Sequence, residues 1–174
     1  MGELKLIIDR GQIAVRVQEL ARAIRTDYNE KAPILIGVLK GAFVFLADLV
    51  RELGMPVIVD FVGLSTYGLR QTSEGAVTVT YPLRVEIKGQ DVLVVEDIVD
   101  SGVTIRFLRQ YLANKGAATV RVCALLARTT GDAEGLADYV GFTVGEGWVV
   151  GYGIDSGERY RYLPEIYVLE EGQG

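Results

Sequence analysis

The chain is 174 residues long, 49% hydrophobic and 24% charged, the profile of a single globular domain over residues 1–174 that can bury about 70% of its unfolded surface. A single cysteine, Cys123, and the absence of histidine exclude a disulfide framework, thiolate metal sites, imidazole triads and His metal ligands. A formal net charge of -5 argues against a nucleic-acid or anionic-membrane surface, and the longest apolar runs, 33–39 and 41–47, fall short of the roughly 20 residues a membrane span needs.

The N-terminal residues carry Glu3, Lys5, Asp9 and Arg10 and show no apolar core of a signal peptide, so a cytoplasmic location is expected. Ile13, Val17, Leu20, Ala21 and Ile24 recur at helical spacing and predict an amphipathic helix over 11–28. Residues 33–39 form a short apolar run without alternation and read as a buried strand. The helical pattern of 41–53, closed by Gly54, and the β-rich run 56–62 complete a strand, helix, strand unit. Residues 65–75 are polar and rich in Gly, Ser and Thr, which predicts a long mobile loop. The alternating segment 76–85 after it reads as one arm of an antiparallel pair.

A doubly buried strand is predicted at 92–95, a helix over 104–114 stopped by Lys115-Gly116, and a further buried strand at 119–126. Strand-like segments at 139–144 and 148–154 precede a basic, aromatic-rich tail, 159–169. Strands alternating with helices predict an α/β fold whose mainly parallel, twisted sheet is flanked by helices.

The most informative stretch runs from Val92 to Thr104, where a buried strand gives out into Glu96 and Asp97 and then into a small-residue turn that opens a helix. Ligands of open α/β sheets sit at such carboxyl ends. Consecutive backbone N–H groups from Asp100 to Thr104, the Ser101 and Thr104 hydroxyls and the positive helix end make a phosphate-sized anion site, and Gly102 permits close approach. The alternative is that Asp100 or Ser101 simply caps the helix. Capping leaves Glu96 and Asp97 unexplained. Adjacent carboxylates at the end of a buried strand repel each other and lose hydration unless a polyhydroxyl group or a hard cation binds them. A phosphate binder flanked by carboxylates points to a sugar phosphate. Without histidine, proton transfer near pH 7 falls to carboxylates, lysine or tyrosine.

The Glu96-Asp97-Ile98-Val99-Asp100-Ser101-Gly102 stretch resembles the phosphoribosyl pyrophosphate (PRPP) signature of the type I phosphoribosyltransferases, in the form of the hypoxanthine-guanine branch. Leu39-Lys40-Gly41, Ser65-Thr66-Tyr67, Leu125 to Arg128, Trp148 to Asp155 and Arg161 agree with that branch in order and spacing, so the resemblance spans nearly the whole chain. It implies a core of about residues 31–147 and a small hood from about 1–30 and 148–174. It implies Mg2+-dependent transfer of 5-phosphoribosyl from PRPP to hypoxanthine or guanine, giving IMP or GMP and pyrophosphate, in a homodimer or homotetramer.

Residue by residue, the resemblance implies that Glu96 and Asp97 hold the ribose hydroxyls directly or through Mg2+. Asp100 is the general acid/base near purine N7, and Ser101, Gly102, Val103 and Thr104 cradle the 5′-phosphate together with Asp100. Lys40 and Gly41 form the pyrophosphate loop, with the Leu39–Lys40 bond a candidate cis peptide, and Arg161 contacts pyrophosphate. Ser65, Thr66 and Tyr67 open a flexible lid. Arg128 donates to the 6-oxo group where the family usually has lysine, Trp148 stacks on the purine, the Val149 backbone meets its pyrimidine edge, and Asp155 serves the purine pocket and the metal. Two alternatives on the same fold are a PRPP-sensing regulator that binds nucleic acid and a xanthine-preferring enzyme. A Rossmann oxidoreductase and a P-loop nucleotidase lack their glycine motifs here.

Overall fold

The computed structural model describes residues 3–29, 31–67, 76–129 and 135–170. Among these residues the elements run β1 (Glu3–Ile8), α1 (Arg10–Tyr28), β2 (Ile34–Leu39), α2 (Phe43–Leu53), β3 (Ile58–Tyr67), β4 (Ala76–Tyr81), β5 (Asp91–Val99), α3 (Val103–Asn114), β6 (Thr119–Arg128), β7 (Tyr139–Val144), β8 (Trp148–Val150) and β9 (Ile166–Glu170). The main sheet has the order β4-β3-β2-β5-β6-β7 and is parallel except where β4 pairs with β3. A small antiparallel sheet, β1-β9-β8, shares one of its hydrophobic clusters. This is the α/β class that the alternation of strands and helices predicts.

The central strands are continuous apolar runs because both sheet faces are covered. Successive strand residues point to opposite faces. Thus Leu35, Leu93, Val95, Cys123 and Leu125 pack with Ile24 of α1 and with Phe45 and Leu49 of α2. Ile36, Val92, Val94, Val122 and Ala124 pack with Ile105, Leu108 and Leu112 of α3. Cys123 is fully buried, and that burial pushes its thiol far above the ordinary range, so it is an inert packing group. In α1 the predicted stripe is buried, and Asp9 and Gln12 form a reciprocal capping box with bonds of 2.8 and 2.9 Å. α2 stops at Gly54, whose φ of 58° suits a residue without Cβ.

Several elements depart from the sequence-based expectation. β1 was not anticipated; its ladder with β9 supplies the small sheet, whereas α1, expected in the hood, packs against α2 and β7. β4 ends at Tyr81 rather than at 85, because Pro82 has no N–H to continue the ladder. Ser65, Thr66 and Tyr67, expected to open a loop, extend β3 and pair with Thr78, Val77 and Ala76; the strand signal of Val77 and Val79 carries its partner along. The rest of the expected loop, 68–75, lies outside the described residues. The segment 148–154 is a strand only as far as Val150, since Gly151, Tyr152 and Gly153 take φ values of 101°, 50° and 98°. The tail 159–169 contains most of β9.

Asp60 on β3 is buried and serves as an internal cap for the connection between β4 and β5. Its Oδ1 accepts from Phe61 N at 2.8 Å, and its Oδ2 accepts from Arg84 N and Val85 N at 2.6 and 3.0 Å. Burial pushes its pKa up, but the three backbone N–H groups and the Arg84 charge outweigh that and hold it below the ordinary carboxylate value. Asp60→Asn turns an amide N–H toward one of these donors and is expected to cost about 1–3 kcal/mol at pH 7. Because the folded pKa is depressed, wild-type Asp60 stabilises above its unfolded pKa of about 4 and loses that contribution as the pH falls through the folded value. Thermal unfolding of both proteins should therefore show the gap between them closing in acid.

Candidate active site

β2 and β5 are parallel neighbours, in register from Ile34 opposite Val92 to Gly37 opposite Val95. The chain leaves β2 through α2 to β3 on one side and leaves β5 through α3 to β6 on the other. Connections that diverge in this way open a crevice at the carboxyl ends of the two strands. Lys40 and Gly41 follow β2 into it, and the Leu39–Lys40 peptide, a candidate for the cis form, is cis. Gly41 cannot be replaced without displacement, since a Cβ there would overlap the Asp97 carboxylate. A Cβ on Gly153 would in turn lie 2.5 Å from the Gly41 carbonyl oxygen. The Gly41 loop is thus seated directly between the Asp97 side chain and the backbone at Gly153.

Glu96 and Asp97 lie within β5, which runs on past the predicted 92–95 core to Val99. The carboxylates turn back on the strand's own backbone: Glu96 Oε1 accepts from Asp97 N at 3.2 Å, and Asp97 Oδ1 accepts from Ile98 N at 2.7 Å. Burial, reinforced by the neighbouring Asp97 charge, pushes Glu96 well above the ordinary carboxylate range. Burial also raises Asp97, against the lowering effect of its hydrogen bonds and of Arg161. The pair is poised for a partner that supplies hydroxyl donors or positive charge.

α3 begins after Gly102, which has a φ of 76° and leaves the helix with no side-chain cap. Neither Asp100 nor Ser101 is used as a cap. The positive end of the helix is therefore open to an anion. The turn is steadied from behind by Arg106, whose guanidinium donates to the Ser101 carbonyl at 2.8 Å.

A cleft of about 240 Å³ lies beside this turn, lined by Asp97, Ile98, Asp100, Arg128, Trp148, Val149, Ile154 and Asp155. Trp148 stands at its edge, 47% exposed, while Val149 and Ile154 are buried. Arg128, at the end of β6, donates from both terminal nitrogens to the carbonyls of Gly145 and Gly147, the latter at 2.7 Å. Its Nε lies 3.7 Å from Asp100 Oδ1. Arg128 therefore clamps the loop that presents Trp148, a role its sequence position did not reveal. Toward the Lys40 side, Arg161 bonds the Gly153 carbonyl and Asp155 Oδ1, both at 2.8 Å, and Glu158 Oε2 lies 3.0 Å from Lys40 Nζ.

The crevice thus unites the expected residues of five sequence segments: Lys40-Gly41, Glu96 to Thr104, Arg128, Trp148 to Asp155, and Arg161. Ser65, Thr66 and Tyr67 stand apart in the β3–β4 ladder. Sequence reasoning missed Ile98, Ile154 and Glu158. Each sits beside or between identified polar residues, and the apolar pair was the natural signal for a flat ligand between hydrophobic walls.

Paired carboxylates, an open helix end and a flanking apolar slot suit a ligand that carries hydroxyls, phosphate and a planar ring, which defines the class as a sugar-phosphate-handling α/β enzyme. The comparisons narrow it: the model of the phosphoribosyl transferase domain matches residues 6–157, and the chain belongs to that family. It is 40% identical over 171 residues to a hypoxanthine-guanine phosphoribosyltransferase of Aquifex aeolicus, covering 97% of this chain and 96% of that protein. A hypoxanthine-guanine phosphoribosyltransferase from Bacillus anthracis superposes with a TM-score of 0.89 at 38% identity, covering 96% of this chain and 99% of the other. A variant of the Trypanosoma cruzi hypoxanthine phosphoribosyltransferase, complexed with its product IMP, gives a TM-score of 0.87 at 36% identity over 97% of this chain and 91% of the other.

The acid pair, with Glu96 buried and Asp97 half-buried, makes a testable demand on stability. Its raised titration means that the unliganded fold loses stability as the pH rises through it. Asp97→Asn removes the repulsion while keeping an acceptor for Ile98 N. The variant is expected to melt roughly 2–4 °C higher near neutral pH, the shift that about 1 kcal/mol gives in a domain of this length. Its advantage should vanish below about pH 4, where the unfolded carboxylates also protonate.

Proposed function

We propose that the protein is a cytoplasmic purine-salvage enzyme that transfers 5-phosphoribosyl from PRPP to hypoxanthine or guanine, giving IMP or GMP and pyrophosphate. The observation that carries this reading is the single crevice at the ends of β2 and β5, where an uncapped helix end, paired carboxylates and an apolar slot meet. The regulator and the xanthine-preferring alternatives gain no support from the relatives. A homodimer or homotetramer is the expected assembly.

In this reading the backbone N–H groups of Ser101, Gly102, Val103 and Thr104 receive the 5′-phosphate, with Asp100 at the start of the turn. Glu96 and Asp97 accept from the ribose hydroxyls. Lys40, Gly41 and Arg161 face the pyrophosphate arm. The purine lies against Trp148, its pyrimidine edge on the Val149 backbone. Ser65, Thr66 and Tyr67 would belong to the closure that keeps water from the reacting centre. As the purine ring nitrogen attacks C1′ with inversion and pyrophosphate departs, Asp100 takes the proton released at N7.

Magnesium suits the donor set. It is held by one or two carboxylates plus substrate oxygens rather than by a protein cage, and among the described residues no cluster of three or more acidic, His or Cys groups could hold a metal by itself. Glu96 and Asp97 would hold magnesium alongside the ribose oxygens, and Asp155 would hold it alongside the pyrophosphate oxygens, where it would neutralise charge on the leaving group.

Arg128 has two terminal N–H groups beyond those bonded to Gly145 and Gly147, and these are the donors for a 6-oxo group. Adenine offers an amino donor instead, a mismatch that discriminates by roughly 10⁴.

Nucleotide formation from PRPP and magnesium, with hypoxanthine, guanine, xanthine, adenine and orotate in parallel, tests the reading. Turnover is expected with hypoxanthine and guanine, and a preference for orotate or adenine overturns the assignment. Asp100→Asn should lower kcat by about 10²-fold or more, the usual worth of a placed proton acceptor, with PRPP affinity preserved; an unchanged kcat removes Asp100 from that role. Arg128→Ala should raise KM for both 6-oxopurines. Unaltered base selectivity would restrict Arg128 to holding its loop.

A further inference from the structure

Lys40 and Arg161 reach the pyrophosphate side of the crevice from different elements, and one carboxylate oxygen joins them. Glu158 Oε2 lies 3.0 Å from Lys40 Nζ and 3.4 Å from the Arg161 guanidinium. The placement is deliberate at the backbone. Glu158 takes a left-handed φ of 63°, and its N–H donates at 2.8 Å to Asp155 Oδ2, whose other oxygen meets Arg161. Arg161 is not saturated by this arrangement: its Nε is buried with no hydrogen-bond partner among the described residues. Lys40 and Glu158 are each 65% exposed at the side chain, so their ion pair is solvated and readily exchanged.

A single oxygen shared between an ammonium and a guanidinium is the contact a phosphoryl oxygen would make. We propose that Glu158 is an internal anion that occupies the cations of the pyrophosphate subsite and must yield them when the pyrophosphate arm binds. This rests on the reading of Lys40 and Arg161 given above. Glu158 touches neither the ribose nor the purine in this account. It sets the affinity for one end of the substrate, and its return to Lys40 and Arg161 accompanies the departure of the product.

The inference predicts opposite behaviour from a merely structural Glu158. If the carboxylate competes with pyrophosphate, then Glu158→Gln, which cannot form the ion pair, binds pyrophosphate more tightly. If it only orients Arg161, the same change weakens binding. Glu158→Asp keeps the charge but shortens the arm, which separates contact from net charge.

The experiment measures pyrophosphate binding by calorimetry in the presence of magnesium, product inhibition by pyrophosphate, and IMP affinity, for the wild type and both variants. Glu158→Gln is expected to bind pyrophosphate about threefold more tightly, the scale of a solvated ion pair. Glu158→Asp should show a smaller gain in the same direction, and IMP affinity should be unchanged in both. Unchanged or weaker pyrophosphate binding in Glu158→Gln overturns the proposal, as does a gain in Gln with none in Asp. A wild type that turns over PRPP without these changes defeats this inference alone. A wild type with no PRPP turnover and no pyrophosphate binding defeats the functional reading with it.

Discussion

The parallel pairing of β2 with β5 sets how closely the loops beyond them approach, and the chemistry depends on that distance. Gly41 leaves room for the Asp97 carboxylate, and Gly153 leaves room for the Gly41 carbonyl, so the loop after β2 is seated between a side chain of β5 and the backbone of the turn after β8. A methyl group in that junction would displace the Asp97 carboxylate or the Gly41 carbonyl, and a misplacement of roughly 1 Å can cost a reaction about 10²-fold. The two apolar clusters on either face of the sheet hold the strands in place, so the stiffness of the core is transmitted to the crevice.

Charge is distributed unevenly around that junction. The anionic side is withdrawn from solvent: Glu96 is buried and Asp97 half-buried, and their ionisation opposes folding. The cationic side is partly solvated, with Lys40 exposed and Arg161 held by Gly153, Asp155 and Glu158. A ligand with hydroxyls at one end and phosphoryl oxygens at the other relieves both mismatches together. A fold that carries such a conflict needs its stability elsewhere, and Asp60, the capping box of α1 and the doubly covered strands supply it.

The parts legible in the sequence are those whose residues signal locally. The α1 stripe, the apolar runs of β2, β5 and β6, and Gly54 as a stop follow from periodicity and turn chemistry. The Glu96 to Thr104 turn could be placed at a ligand because nothing in a folded chain otherwise rewards two acids at the end of a buried strand. What stayed hidden depends on partners distant in sequence. β1 is largely exposed and exists through its ladder with β9, more than a hundred and fifty residues away. The direction of Arg128 is set by carbonyls of the Gly145–Gly147 loop, and that of Glu158 by Lys40, none of which leaves a trace in local pattern. Trp148 to Ile154 looked like one strand because the apolar signal outlasts β8; the glycines that end it act through φ rather than hydrophobicity.

The β1–β9 ladder has a mechanical meaning. Its register places Glu3 opposite Glu170, and then Leu4 opposite Leu169 and Lys5 opposite Val168. Tension applied between residues 3 and 170 therefore opens the ladder from one end, breaking its rungs one after another like a zip, whereas shear would load them all together. Such a seam yields at low force. β9 meanwhile stays paired with β8 through Val168 and Tyr167, so the strand that carries Trp148 and Val149 keeps its partner after β1 has peeled away. The wall of the cleft is thereby insulated from a pull on the outer strand.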